Sequence, residues 1–503
     1  MKLFKKLASF ILAFAMVAAI AMPSVVMADD STYTITITPT TENHTYEAYQ
    51  IFSGDLSADG KLSNITWGKG IKEDGKAALL SKYEVTTVSE LADKLAKFAD
   101  NYEDTRGFAK EVSQYLQNPA VAKASGTTAT ISGLAAGYYL VKDQNKSLQD
   151  KDETYTDFIL KVVKDQTVAP KSEKPISEKK VIDTNDTEGT TSDWQDSADW
   201  DIGDMVPFQL KGTVAADYDK YKVYKMTFHD KESEGLTFDK DSVEVFVDGE
   251  KITSGYEVVT PANHGDTKDT FDIVFADLKQ INDVKAKSVI TVEYKSKLNE
   301  KAVLGEEGNP NTMHMEFSNN PNDEQGGETG KTPDDKVIVF TYQTVINKVD
   351  GDQQPLTGAK FVLRKILNDG TKKEVALVEK EPGAVFTFKG LDDGDYELEE
   401  TETPAGYNTL SPNPIKFTIS AVHEKESNDP KLTSLTGDKV DGNVFTFETS
   451  SDKSTLTTNV VNKSGSTLPS TGGMGTTVLY VAGTLMIIAA AAFLVMKKKA
   501  ENK

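Results

Sequence analysis

Lys348, Glu400 and Asn462 interrupt otherwise apolar faces in the last third of this 503-residue chain. Strand alternation groups Lys348 with Ile346, Glu400 with Tyr396 and Leu398, and Asn462 with Leu456 and Val460. Each polar residue should therefore point into a core. Burial raises a carboxyl pKa and lowers a lysine pKa. The trio would then hold a nucleophilic amine, an acid and an amide electrophile. Parity alone also allows a Lys–Glu salt bridge beside a satisfied asparagine, and by itself favours it. A second, weaker set has the same residue types. Lys179 shares a face with Val181, Asp230 with Tyr224, Met226 and Phe228, and Asn319 with Met313, Met315 and Phe317. Lys180 and Asn320 are their rivals, and exposed charges at strand ends are the plainer alternative. A third stretch, "LPSTG" from Leu468 to Gly472, sits just before the last apolar run. It is either a spacer or a place where the chain is cut.

The composition narrows these choices. Charged residues make up 27% and hydrophobics 38%, as in folded domains. The net charge of −22 argues against nucleic acid as a partner. There is no cysteine, so any cross-link must be made without disulfides. The five histidines, His44, His229, His264, His314 and His423, form no pair at zinc-ligand spacing. No metal site and no cofactor is expected.

The two ends read as export and anchoring signals. Residues 1–28 combine Lys2, Lys5 and Lys6 with an apolar stretch and a small-residue cleavage pattern ending at Ala28, a secretory signal peptide. Thr477 to Met496 is apolar and long enough to span a bilayer. Lys497, Lys498 and Lys499 follow and hold the tail on the cytoplasmic side.

Between the ends, the alternation predicts an all-β chain of tandem immunoglobulin-like sandwiches. Residues 29–168 form a first β domain with a helical insertion. The helix is expected in "SELADKLAKFADNY", with Leu91, Leu95 and Phe98 at helical spacing and Ser89 as its cap. Residues 169–335 follow, opening on the linker "VAPKSEKPISEKK". Residues 336–463 form the third domain, with "KVIVFTYQTVINKV" as its first strand. Residues 464–503 hold the "LPSTG" stretch, the apolar span and the basic tail.

The third domain carries a specific resemblance. "DYELEETETPAGYN" matches the Glu-containing box of the Cna-B type domains of Gram-positive surface proteins, through Tyr396, Leu398, Glu400, Thr401, Pro404, Gly406 and Tyr407. The order of domains, linker lysine, box and terminal signal resembles the major pilins of sortase-assembled pili. The resemblance implies an intramolecular Lys–Asn isopeptide bond in each of two domains. Lys348 would attack Asn462 with Glu400 polarising the amide oxygen, and fixed proximity would replace an enzyme. Lys179, Asn319 and Asp230 would do the same in the middle domain. No such bond is expected in the first domain, whose "GYYLVKD" lacks a matching glutamate.

"LPSTG" fits the family's sorting signal, usually Leu-Pro-x-Thr-Gly, carried here by Leu468, Pro469, Thr471 and Gly472. The resemblance implies that a sortase cysteine takes the Thr471 carbonyl and that an amine resolves the acyl-enzyme. Lys171 is the expected acceptor. It follows Pro170 in "TVAPKSEKP", although the family's usual motif has tyrosine where Ala169 stands. The implied partners are pilin-class and housekeeping sortases, copies of this chain, minor pilins at tip or base, and the peptidoglycan precursor. The implied product is a fibre on the cell surface, attached to the wall, made by a protein that is not an enzyme. The competing expectation is a non-polymerising wall-anchored adhesin or minor pilin that binds a host surface molecule.

Overall fold

The computed structural model describes residues 32–57, 60–98, 101–162, 164–170, 173–262, 268–378, 383–465 and 474–501. The signal peptide, Lys171, and Leu468, Pro469, Thr471 and Gly472 lie outside these residues.

The first domain has two sheets. Tyr33–Ile37 pairs antiparallel with Ala129–Leu134 and parallel with Gln166–Val168. The other sheet runs Leu62–Trp67, Thr45–Leu56, Gly137–Asp143, Ile159–Val162, with Ala120–Lys123 also on Thr45–Leu56. The insertion holds three helices, Glu73–Lys82, Val88–Ala96 and Tyr102–Ser113, rather than one. The cap of the middle helix is Thr87, not Ser89. Thr87 and Glu90 form a reciprocal capping box that satisfies two end amides, and Ser89 lies inside the first turn. Leu91, Ala92 and Leu95 are the buried face, and Phe98 follows beyond the helix end.

A buried ion pair ties this domain internally. His44 Nδ1 lies 2.7 Å from Asp143 Oδ1, and the ring stacks on Tyr46. Burial lowers the His44 pKa, but the Asp143 and Glu153 carboxylates outweigh it and hold the imidazolium up to about 9. The folded pKa is raised, so the pair stabilises fully below the ordinary value near 6.5 and less as pH climbs through 9. Thermal melts of the full chain should show the first domain losing about 2–3 kcal/mol between pH 6.5 and 9.5. His44→Gln should flatten that slope; an unchanged slope would exclude His44 as its source.

The middle domain is a sandwich. One sheet is ordered Glu250–Ile252, Leu236–Val247, Val289–Leu298, Met205–Thr213, Ser177–Val181. The facing sheet is ordered Ser197–Asp199, Asp335–Phe340, Asn309–Ser318, Met226–Glu232, Phe271–Phe275, Glu257–Val259, with Thr329–Lys331 on Asn309–Ser318. Alternate residues fill the core, as Val206, Phe208 and Leu210 do from one side and Met313, Met315 and Phe317 from the other.

The C-terminal domain is a smaller sandwich. Its four-stranded sheet is ordered Val385–Leu391, Tyr342–Val349, Thr455–Val461, Glu448–Thr449. The five-stranded sheet is ordered Lys372–Val375, Lys360–Ile366, Gly394–Glu402, Ile415–His423, Leu432–Asp438. Its opening strand, Tyr342–Val349, runs parallel to its last strand, Thr455–Val461.

The domain change falls at Thr341 rather than between 335 and 336. Asp335–Phe340 pairs with Asn309–Met313 of the middle sandwich, and Tyr342 already belongs to the next sheet. The run serves both cores: Val337 and Val339 pack into the middle one, and Ile338 and Phe340 join Tyr342 in the C-terminal one. Beyond the last strand, Met474–Glu501 is a single helix, and its Thr477–Ala500 segment is long and apolar enough to cross a membrane.

Candidate functional site

In the C-terminal domain the three expected residues converge. Lys348, Glu400 and Asn462 are 0%, 3% and 1% exposed. Parallel pairing sets Lys348 opposite Val460, and the Asn462 amide N–H donates to the Val349 carbonyl at 3.1 Å. The chain thus arrives with the asparagine at the end of the lysine strand. Lys348 Nζ donates to the carbonyls of Val460 at 2.9 Å and Val349 at 3.1 Å. Burial pushes its pKa down to about 8, with only a partial counter-pull from Glu400. Neutral lone pairs are scarce on lysine at pH 7, and this environment supplies them.

The acid meets the amide at the nitrogen. Asn462 Nδ2 donates to Glu400 Oε1 at 2.8 Å, while Asn462 Oδ1 is buried without a hydrogen-bond partner among the described residues. Glu400 Oε2 accepts from Thr403 Oγ1 and the Leu410 amide, which fix the carboxyl in place. The expected contact to the amide oxygen is therefore replaced by one to the group that would leave.

The middle domain brings together only two of its three expected residues. Lys179 Nζ lies 2.5 Å from Asp230 Oδ2 and 2.8 Å from the Tyr294 hydroxyl, and both partners of the ion pair are 0% exposed. Desolvation lowers the Lys179 pKa and raises that of Asp230, against their mutual attraction, so both shifts favour the neutral forms. Lys180 faces outward and pairs with Asp196 at 2.6 Å.

Asn319 is elsewhere. Its Nδ2 donates to the carbonyls of Leu148 at 2.9 Å and Glu153 at 3.1 Å, so it fastens the middle domain to the first. Asn320 also stays out of the site and accepts from the Asn322 amide in a turn. The asparagine beside Lys179 is Asn311. It is 0% exposed, and its Nδ2 donates to the Tyr294 hydroxyl at 2.8 Å. Its Oδ1 is buried with no hydrogen-bond partner among the described residues, as in Asn462. Tyr294 in turn donates to Asp230 Oδ2 at 2.9 Å and so joins amine, acid and amide through one oxygen.

Glu232 is a further acid that parity reasoning passed over. It lies opposite Asn311 in register, and burial, with the Asp230 charge, pushes its carboxyl up to about 8. Asn311 and Glu232 were both visible in the sequence. "NPNTMHMEF" puts Asn311 on the same face as Met313, and "HDKE" puts Glu232 on the face of Asp230.

Next to Lys171 in the linker, Lys174 is engaged, with Nζ 2.6 Å from Asp152 Oδ2. In the first domain Lys142 lies 3.3 Å from Glu47 in an ion pair.

Tandem β-sandwiches, two of which bury a lysine, an acid and an asparagine close together, define a modular β protein. Comparison with known proteins makes the class specific. Residues 202–321 match the Cna-B-like domain of Gram-positive pilin backbone subunit 2. Residues 343–431 match a prealbumin-like fold domain of the SpaA type, and residues 460–503 match the LPXTG cell wall anchor motif. The trypsin-resistant surface T6 protein of Streptococcus pyogenes serotype M6 is 30% identical over 300 residues, covering 54% of this chain and 51% of that protein. The match thus spans about half the length of that relative. In fold, the chain resembles the T6 backbone pilin of serotype M6 S. pyogenes, with a TM-score of 0.57 and 19% identity over 88% of this chain and 100% of that one. It also resembles the full-length major pilin SpaD of Corynebacterium diphtheriae, with a TM-score of 0.52 and 17% identity over 88% of this chain and 100% of that one. The chain thus carries a pilin-backbone-type domain and a prealbumin-like domain ahead of a cell wall anchor motif.

Proposed function

We propose that this chain is the repeating subunit of a covalent surface fibre, joined head to tail from Thr471 of one copy to Lys171 of the next. The observation that carries the reading is the pair of buried lysine–acid–asparagine trios in two successive pilin-type domains upstream of the LPXTG anchor. In the polymerising step a sortase cysteine displaces Gly472 from Thr471 and holds the acyl group as a thioester. The Lys171 amine then attacks that thioester, forms the Thr471–Lys171 amide and frees the enzyme. Residues 472–503 leave with the apolar helix, so membrane attachment is transient. A peptidoglycan amine in place of Lys171 ends the fibre at the wall. A head-to-tail contact of this kind does not close on itself and so builds a fibre rather than a ring.

Within each subunit, Lys348 joins Asn462 and Lys179 joins Asn311. In each case the amine attacks the amide carbon, a C–N bond forms, and one ammonia departs. Glu400 serves the first bond; Asp230 and Glu232 flank the second.

Expressed with its pilin-class sortase, the chain should run as a high-molecular-weight ladder, and Lys171→Ala should reduce it to monomer. A ladder that survives Lys171→Ala would place the acceptor at another lysine. No ladder with any sortase of its own cell would favour a monomeric adhesin.

A further inference from the structure

The junction of the middle and C-terminal domains holds a group of ionisable residues outside both trios. Asp183 follows the opening strand of the middle domain, Asp199 ends its Ser197–Asp199 strand, and His423 ends the Ile415–His423 strand of the C-terminal domain. One potential ligand atom from each lies within 4.8 Å of the others. His423 Nε2 is 3.5 Å from Asp183 Oδ2 and 3.6 Å from Asp199 Oδ1. Those separations are long for hydrogen bonds. They suit atoms that share a metal, since ligands set tetrahedrally about 2.1 Å from an ion stand roughly 3.4 Å apart.

The other imidazole nitrogen is already committed. The Ser197 hydroxyl donates to the Glu424 carbonyl at 2.6 Å, so its oxygen is left to accept from His423 Nδ1–H at 2.7 Å. That arrangement turns Nε2 toward the two carboxylates, as an outer hydrogen bond orients a metal-bound histidine. The Tyr342 hydroxyl is fully buried beside the group, where Asp199 is its hydrogen-bond partner and Asp199, Asp393 and Asp183 are the charges that act on it.

A neighbouring acid group gives the contrast. Asp186, Asp201 and Asp392 surround the Lys365 ammonium, so the chain supplies that group's cation itself. Asp183 and Asp199 face an imidazole that they hold protonated; a divalent ion would displace that proton, and two carboxylates with the neutral imidazole then match its charge.

We propose that Asp183, Asp199 and His423 bind a divalent transition-metal ion of the zinc class, with water completing the shell, and so staple the middle domain to the C-terminal one. The donor set of one imidazole and two carboxylates selects zinc-like ions over calcium or magnesium, which take oxygen ligands. The site does not depend on the polymerisation reading. A chain that never forms fibres would still bind the ion.

The test is zinc chloride titrated calorimetrically into the chelator-treated full chain, with bound metal counted by elemental analysis. One zinc per chain is expected. His423→Gln and Asp183→Asn should each weaken it about 100-fold, and Ser197→Ala about 10-fold through loss of the ring's orientation. His229→Gln, at a separate, partly buried group with Asp269 and Asp272, should leave that zinc in place. Cobalt(II) bound in place of zinc should give the visible bands of a tetrahedral ion. No zinc uptake by the unaltered chain would overturn the proposal, leaving His423 as an imidazolium paired with two aspartates. Uptake unchanged by His423→Gln or Asp183→Asn would overturn it as well.

Discussion

Glu400→Ala should raise the intact mass of the purified protein by about one ammonia more than the substitution itself accounts for. The unaltered chain should fall short of its sequence mass by two ammonia molecules, one per internal bond. Glu400 is the only acid in hydrogen-bond contact with the Asn462 amide among the described residues, so its loss should stop that bond and leave the other. The energetic effect is also large. A bond from Lys348 to Asn462 closes a loop of more than 100 residues, and closing such a loop restrains the unfolded chain by about 4–5 kcal/mol. Chemical denaturation of the C-terminal domain should move to lower denaturant accordingly. The rate of closure has a pH signature. With Lys348 held near 8, roughly a tenth of the amine is neutral at pH 7, and each unit lower costs about another factor of ten. Bond formation followed by mass spectrometry after refolding should slow as pH falls below 8. A pH-independent rate would mean that amine deprotonation does not limit the reaction.

Asn311→Ala should likewise retain one ammonia, and Asn319→Ala should not. The two substitutions separate the geometry from the sequence pattern. Asn311 touches Tyr294, which touches both Lys179 and Asp230, whereas Asn319 spends its amide on carbonyls of the first domain. Asn311→Ala also leaves Lys179 and Asp230 paired, so the domain should still fold and its melting can be compared directly. The missing bond would close a loop of similar length and should again cost about 4–5 kcal/mol. Asn319→Ala should instead loosen the contact between the first and middle domains, by about 1–3 kcal/mol for carbonyls left without donors. If Asn319→Ala retained ammonia and Asn311→Ala did not, the middle-domain assignment would be reversed.

These two asparagines also show where sequence reasoning holds and where it stops. Alternation places side chains correctly inside a long regular strand. Lys348 and Glu400 lie within such strands, and Asn462 follows directly on one, so the C-terminal trio was legible. Asn319 has the right parity but lies one residue past the end of Asn309–Ser318, where the pleat no longer dictates direction. Lys179 was separable from Lys180 only once the strand had a defined core side. The boundary at Thr341 was hidden because apolar alternation runs straight through "KVIVFTYQTVINKV" while the chain changes sandwiches. The helical insertion was legible as helix, but its cap was not, since Thr87 and Ser89 are both good caps and only the Glu90 partnership decides. Asp183, Asp199 and His423 could not be grouped from sequence at all, because two domains contribute them.

The parallel alignment of Tyr342–Val349 with Thr455–Val461 bears on how far a subunit could stretch. Tension applied along the fibre enters the C-terminal domain at Tyr342 and leaves past Asn462. With the Lys348–Asn462 amide closed, it travels along the opening strand only as far as Lys348 and then crosses directly. Residues 349–461 hang beside that route and carry none of the load. Pulled taut, the loaded route through this domain measures about 25 Å at 3.3–3.4 Å per residue, against roughly 400 Å for the same segment unbonded. The domain would then give under force by little more than the slack of one strand, and unfolding would no longer be a way to lengthen.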